Sequence, residues 1–358
     1  MVKRFSCVLL IAVCAIFVFC GTNHASDHKV GLWIAWNDLA TDTSFIDRIP
    51  YNKINLIELS FRFPIVDGIE GERIMSAINR FHAHGAQVIA FVNMEFDVSS
   101  YDKLATQRGD VVFHNPAYFK HALDPDGADT MKRSAHLASW FDPHYREYIA
   151  DKIALFKNAG ADYIVMGELS YLSSEKHNFT TEALQQFKVD GNIPDLPTRL
   201  GSELNTYLIR HPDVGQKWFI WKYTNFLFPW LQTVGVDNVV RYTKRVNNIT
   251  YTAPAYPQST INVLCPQDFP AAGFMANDPP DQTTYDNAQS TINILKVQGL
   301  INVGQVQFAV GNSGLSTPYP EDITKRAEFL LQHLDGFILY GSQYWKRARE
   351  FYQYLPGT

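Results

Sequence analysis

Cysteine is the scarcest informative residue in this chain. Of 358 residues four are Cys, and three of these, Cys7, Cys14 and Cys20, fall in the first stretch of the sequence. Cys265 is then left alone, so a mature chain cannot close an internal disulfide, and its stability must come from a buried core. Long apolar runs are also missing. The one candidate, Val8 to Phe19, has twelve residues, too few to span a bilayer as an ordinary helix. Positive charge is not in excess: 31 Lys and Arg stand against 36 Asp and Glu, a formal net charge of −5. A mildly acidic surface is a poor partner for nucleic acid or an anionic membrane.

Several signatures are absent as well. There is no glycine-rich phosphate cradle and no Gly-x-Ser-x-Gly elbow, so nucleotide-dependent chemistry and serine-hydrolase chemistry have no foothold. The histidines do not read as a metal site. His82 and His84 are two apart, and His114, His121 and His136 are scattered along one connection. Zinc sites use tighter pairs with Cys or carboxylate. No metal and no cofactor is expected, and neither internal repeats nor low-complexity tracts occur.

The N-terminus is an address rather than structure. Lys3 and Arg4 precede the apolar run, and small residues follow up to Ala25-Ser26. Residues 1–25 read as a secretory signal, which makes the chain secreted or periplasmic. Cys20 is the alternative, a lipid attachment point, although Phe17-Val18-Phe19 are bulky where small residues are usual. Without the leader the charge is about −7, from 29 basic and 36 acidic residues.

Residues 26–358 alternate strand-like and helical patterns from end to end, with no convincing second domain. Strands are expected at Val30–Trp36, Ile54–Phe63, Gln87–Met94, Tyr163–Glu168, Ile249–Ala253, Ile261–Leu264, Gln305–Val310 and Gly336–Tyr340. Helices are expected at about 72–84, 180–187, 196–209, 284–297 and 321–334, with a long aromatic-rich one at 217–245. Such alternation is the pattern of a single (β/α)8 barrel. Asp97–Trp140, after the third strand, is a long polar connection holding a tight turn at Asp124–Gly127. Connections after strands shape the active face of a barrel.

One segment carries the most chemistry. Phe141–Ser170 reads as an amphipathic helix, with Ile149, Ile153, Leu155 and Phe156 on one face. Ala159-Gly160 stops it. A short apolar strand, Tyr163-Ile164-Val165-Met166, then ends on Glu168. Carboxylates at the C-terminal ends of barrel strands have a dry interior behind them and an open cleft in front. That setting suits general acid work.

The run WFDPHYREYIADKIALFKNAGADYIVMGE, which begins at Trp140, resembles the helix-into-fourth-strand segment of barrel glycoside hydrolases. The order continues with Asn178–Phe187 and then Trp218, Trp221 and Phe226, similar to the β-galactosidase-like members of clan A. The resemblance implies hydrolysis of a glycosidic bond, a carbohydrate substrate, and Glu168 as the acid/base. The chain departs from the pattern twice. Gly167 stands where that clan has Asn before the acid. Ala309, in Ala309-Val310-Gly311, stands where the seventh strand usually carries the nucleophilic Glu. Retaining catalysis needs two carboxyls about 5–5.5 Å apart, so three readings stay open. Asp268, Asp278 or Glu95 supplies the second carboxyl; the substrate assists through its own acetamido group; or the barrel binds glycans without cleaving them.

The candidate catalytic residues are therefore Glu168, Asp268 and Glu95. Candidate substrate-binding residues are Trp36 and Asn37 at the end of the first strand, Arg62 at the end of the second, and Trp345 as a sugar platform after the eighth. Glu58, inside the second strand, reads as a barrel-interior or helix-facing ion pair. The aromatic share of 14%, with seven Trp and eighteen Tyr, is compatible with sugar stacking.

Overall fold

The computed structural model describes residues 28–36, 39, 43–61, 69–93, 119–132, 135–167, 177–241, 243–246, 249–264, 274, 278–307, 320–340 and 355. Residues 1–25, Asn37, Arg62, Glu95, Glu168, Asp268, Ala309 and Trp345 lie outside the described residues.

In chain order the strands are β1 (Lys29–Ala35), β2 (Leu56–Phe61), β3 (Gln87–Asn93), β4 (Met131–Lys132), β5 (Ala135–His136), β6 (Tyr163–Gly167), β7 (Asn238–Val239), β8 (Thr243–Val246), β9 (Ile249–Thr252), β10 (Ile261–Leu264), β11 (Ile301–Gln307) and β12 (Gly336–Tyr340). Eight of them form one sheet in the order β10-β11-β12-β1-β2-β3-β6-β7, and every pairing in that sheet is parallel. The two ends meet. Thr260 N donates to Asp237 O at 2.9 Å, and Val263 N to Asn238 Oδ1 at 3.4 Å. Helices Ile69–Ala83, Pro143–Asn158, Gln282–Leu295 and Pro320–His333 return the chain between strands. The architecture is a (β/α)8 barrel.

Side-chain alternation along the strands divides the core into two shells. Trp33, Leu56, Ile89, Phe91, Val165, Val240, Ile261, Val263, Val303, Ile338 and Tyr340 fill the barrel axis. Their neighbours in sequence, such as Leu32, Ile57, Ala90, Ile164 and Leu339, pack outward with the helices. All residues of β2 are buried, which is why it reads as a continuous run rather than an alternating one. A satellite cluster of Phe179, Leu184, Phe187, Leu204, Trp218 and Trp221 lies under the helices that follow β6.

The residue just before a strand repeatedly clasps the start of its neighbour. Asn55 Oδ1 accepts from Val30 N at 2.9 Å, Asp162 Oδ2 from Val88 N at 2.7 Å, Asp237 Oδ2 from Ile164 N at 2.8 Å, and Asp335 Oδ2 from Asn302 N at 2.7 Å. These bonds satisfy amides at the barrel's N-terminal end, where stability rather than chemistry is built.

The expected fifth strand is corrected. Ile249–Thr252 belongs to an antiparallel hairpin with Thr243–Val246, outside the barrel sheet. Its place is taken by Asn238–Val239, within the stretch expected to be one long helix. That helix is instead Pro212–Trp221, a π-helical turn at Lys222–Leu227, and Phe228–Val234. It stops at Gly235, which is left-handed with φ 69°. The helix Pro143–Asn158 begins as expected, with Asp142 accepting from His144 N at its N-cap and Pro143 in the first turn.

Candidate functional site

The described residues place two features with chemistry. The first is inside the barrel. Glu58 on β2 is completely buried and faces Gln305 on β11, across the axis. Gln305 Nε2 donates to Glu58 Oε1 at 3.1 Å and to Oε2 at 3.0 Å. Burial pushes the Glu58 carboxyl up to about 8, and the amide donor only partly offsets this. The group is thus a neutral acid at neutral pH. Gln305 Oε1 is buried without a hydrogen-bond partner among the described residues. Exchanging the amide's oxygen and nitrogen gives the carboxyl proton an acceptor. The ion pair expected for Glu58 is instead an acid–amide pair. Above it in the barrel lie Ser60, Phe91 and Tyr340, and Trp33 meets Tyr340 edge-on with ring centroids 4.9 Å apart.

Gly167 closes β6 directly before Glu168. A Cβ on Gly167 would run into the ring of Phe91 on the paired strand β3. The Phe91 ring occupies the space a side chain at position 167 would need, which accounts for the glycine there.

The second feature is a cavity of about 900 Å³, lined by residues from the connection after β3, the segment after β6, and the turn at Trp221–Phe226. It has the size of a small-ligand site. Phe141, Trp221 and Phe226 give it aromatic walls, and Lys120, Asp129, Glu182, Gln186, Asp190 and Asn225 give it polar ones. Part of this polarity is already engaged. Asp142 accepts from Lys120 N at 2.8 Å, and Asp190 accepts from Trp221 Nε1 at 2.7 Å and Gln186 Nε2 at 2.7 Å. These bonds fix the walls and leave Glu182 and Asn225 exposed on the rim.

Of the sequence-predicted site residues, Trp36 and Asp278, one of the alternatives for the second carboxyl, are described. Trp36 is 2% exposed, at the end of β1, with its ring 5.7 Å from that of Phe61. It packs in the outer shell among the helices. The Asp278 carbonyl accepts from Arg326 Nη2 at 2.6 Å. The fourth barrel strand ends at Gly167, and Glu168, the next residue in sequence, lies outside the described residues. The turn expected at Asp124–Gly127 is present: Gly127 has φ 87°, and Asp124 Oδ1 accepts from Ala128 N at 2.8 Å.

Spacing along the chain missed one cluster. His121, Asp129 and His136 converge, with one ligand atom from each lying within 4.8 Å of the others. In chain order these are three separated residues. The hairpin that joins them is the missing information.

No protein-family description matches the chain, and no curated protein does. Among solved structures, the glycoside hydrolase domain of PelA from Pseudomonas aeruginosa is similar over 88% of this chain and 94% of its own, at 10% identity and a TM-score of 0.39. A GH31 alpha-xylosidase from a soil metagenome, complexed with xylose, is similar over 89% of this chain and 42% of its own, at 10% identity and a TM-score of 0.44. A noncanonic maltogenic alpha-amylase, AmyB from Thermotoga neapolitana, covers 88% of this chain at 11% identity and a TM-score of 0.44. Similarity at this level leaves the activity to be argued from the chain's own residues. No helix among the described residues is long and apolar enough to cross a membrane.

Proposed function

We propose that this barrel hydrolyses a glycosidic bond in an extracellular glycan, with Glu168 as proton donor. The observation that carries the reading is topological. The fourth strand of a parallel eight-stranded barrel ends at Gly167, and the next residue is a carboxylic acid. Catalytic groups of such barrels sit at the C-terminal strand ends. The cavity between the connections after β3 and β6 supports a carbohydrate ligand, because aromatic faces beside carboxylates and amides match the apolar and hydroxylated faces of a sugar. The clan A resemblance, a leader directing secretion, and Glu95 or Asp268 as second carboxyl belong to this same reading.

A second reading is a carbohydrate-binding barrel without catalysis. The residue that favours it is Ala309, where a nucleophilic Glu is usual. Hydrolysis of a glycan panel separates the two. A wild type that cleaves, with Glu168→Gln at least about 10²-fold slower, is expected for the enzyme. A wild type that cleaves nothing, yet binds a glycan equally well after Glu168→Gln, would establish the binding barrel. Ala309→Glu complements the test, since gained or raised activity would mark that slot as a lapsed nucleophile position.

A further inference from the structure

We propose that His121, Asp129 and His136 form a binding site for a divalent transition cation of the zinc class, set in the wall of the large cavity. Three short backbone segments hold the ligands. His121 bridges Ala138, Leu123 bridges Asp129, and His136 lies in β5 opposite Met131. Ala122 N donates to Leu137 O at 2.7 Å, Thr130 N to Ala122 O at 2.8 Å, and Leu137 N to Thr130 O at 3.0 Å. The three positions are thereby fixed relative to one another before any ion arrives.

The donor atoms converge. Asp129 Oδ2 lies 2.9 Å from His121 Nδ1 and 3.2 Å from His136 Nδ1. Zinc bonds of about 2.0–2.1 Å in tetrahedral geometry set ligand atoms about 3.3 Å apart, so the carboxylate already stands near ligand spacing from each imidazole. The two rings stack with centroids 4.1 Å apart and an interplanar angle of 7°, and both Nδ1 atoms approach the same carboxylate oxygen of Asp129. A hydrogen-bonded triad alone explains this arrangement less well. His121 Nδ1 is hydrogen-bonded to Asp129, whereas His136 Nδ1 is buried and makes no hydrogen bond among the described residues, although the same oxygen is near. A cation uses both lone pairs at once.

The donor set selects the ion. Two imidazoles and one carboxylate suit zinc and its neighbours, whereas calcium and magnesium call for oxygen cages. Three protein ligands leave a position open. His121 and Asp129 both line the cavity, so the site borders the space where a ligand would sit. The proposal does not depend on Glu168 or on hydrolysis.

The test uses the full chain after chelator treatment, titrated with Zn²⁺ by calorimetry and with Co²⁺ by absorption. One equivalent should bind, with the visible spectrum of low-coordinate Co²⁺, and Zn²⁺ should raise the melting temperature. His136→Ala and Asp129→Asn should each weaken binding at least about a hundredfold, since even outer-shell changes cost 10–100-fold. Asp129→Asn keeps the shape of the carboxylate and guards against a variant that fails to fold. His82→Ala, whose ring pairs with Asp162 at the barrel's other end, should bind as wild type does. Absence of saturable binding in the wild type would overturn the proposal. So would binding that survives both site variants, or that falls equally in His82→Ala.

Discussion

Replacing Glu58 by Gln should change how stability depends on pH. Glu58 has no exposed surface, and its only described partner is the Gln305 amide. Its folded carboxyl titrates near 8, against an ordinary value of 4.5. Between these values the folded chain holds the proton and the unfolded chain releases it. The stabilisation is therefore complete below about 4.5, declines as pH rises, and is gone above about 8. The slope in that window is about 1.4 kcal/mol per pH unit, so raising the pH from 5.5 to 7.5 should cost about 3 kcal/mol. Glu58→Gln keeps the shape and a hydrogen bond to Gln305 but has no proton to lose. Urea unfolding of both proteins across this range isolates the effect, because every other titrating group cancels in the difference. The wild type should lose about 3 kcal/mol relative to the variant. Parallel pH profiles would refute the neutral-acid assignment.

Other substitutions test the frame around the site. Gly167→Asn forces a side chain against Phe91 and should destabilise by about 1–3 kcal/mol, read as a lower melting temperature; an unchanged melting temperature would show that the ring moves aside freely. Asp237→Ala leaves Ile164 N and Thr260 Oγ1 without their acceptor at the barrel seam and should cost about 1–3 kcal/mol, with hydrogen exchange rising first at Ile164. Zinc should raise the melting temperature of the wild type and leave that of His136→Ala unchanged, as set out above.

Much of the barrel was legible because each strand announces itself locally. Gly160-Ala161-Asp162 leads into Tyr163-Ile164-Val165, and the helix stop, the clasping carboxylate and the buried strand follow in order. The same pattern recurs at Gly235-Val236-Asp237-Asn238-Val239. There, aromatic residues before it and apolar residues after it merge into one apparent helix. Ile249–Thr252 has β-type residues but finds its partner in Thr243–Val246, and local propensity cannot tell a hairpin from a barrel strand. The site was less legible because its pairings are long-range. Glu58 and Gln305 are 247 residues apart, and nothing near either residue names the other. His121 and His136 meet only because a hairpin folds between them.

In the proposed reaction Glu168 donates a proton to a departing sugar oxygen. Glu168→Ala should therefore slow cleavage of an unactivated glycan at least about 10²-fold. The same variant should cleave a dinitrophenyl glycoside, whose leaving group needs no proton, at a kcat within about tenfold of wild type. Equal losses on both substrates, or none on either, would contradict the assignment of Glu168 as the general acid.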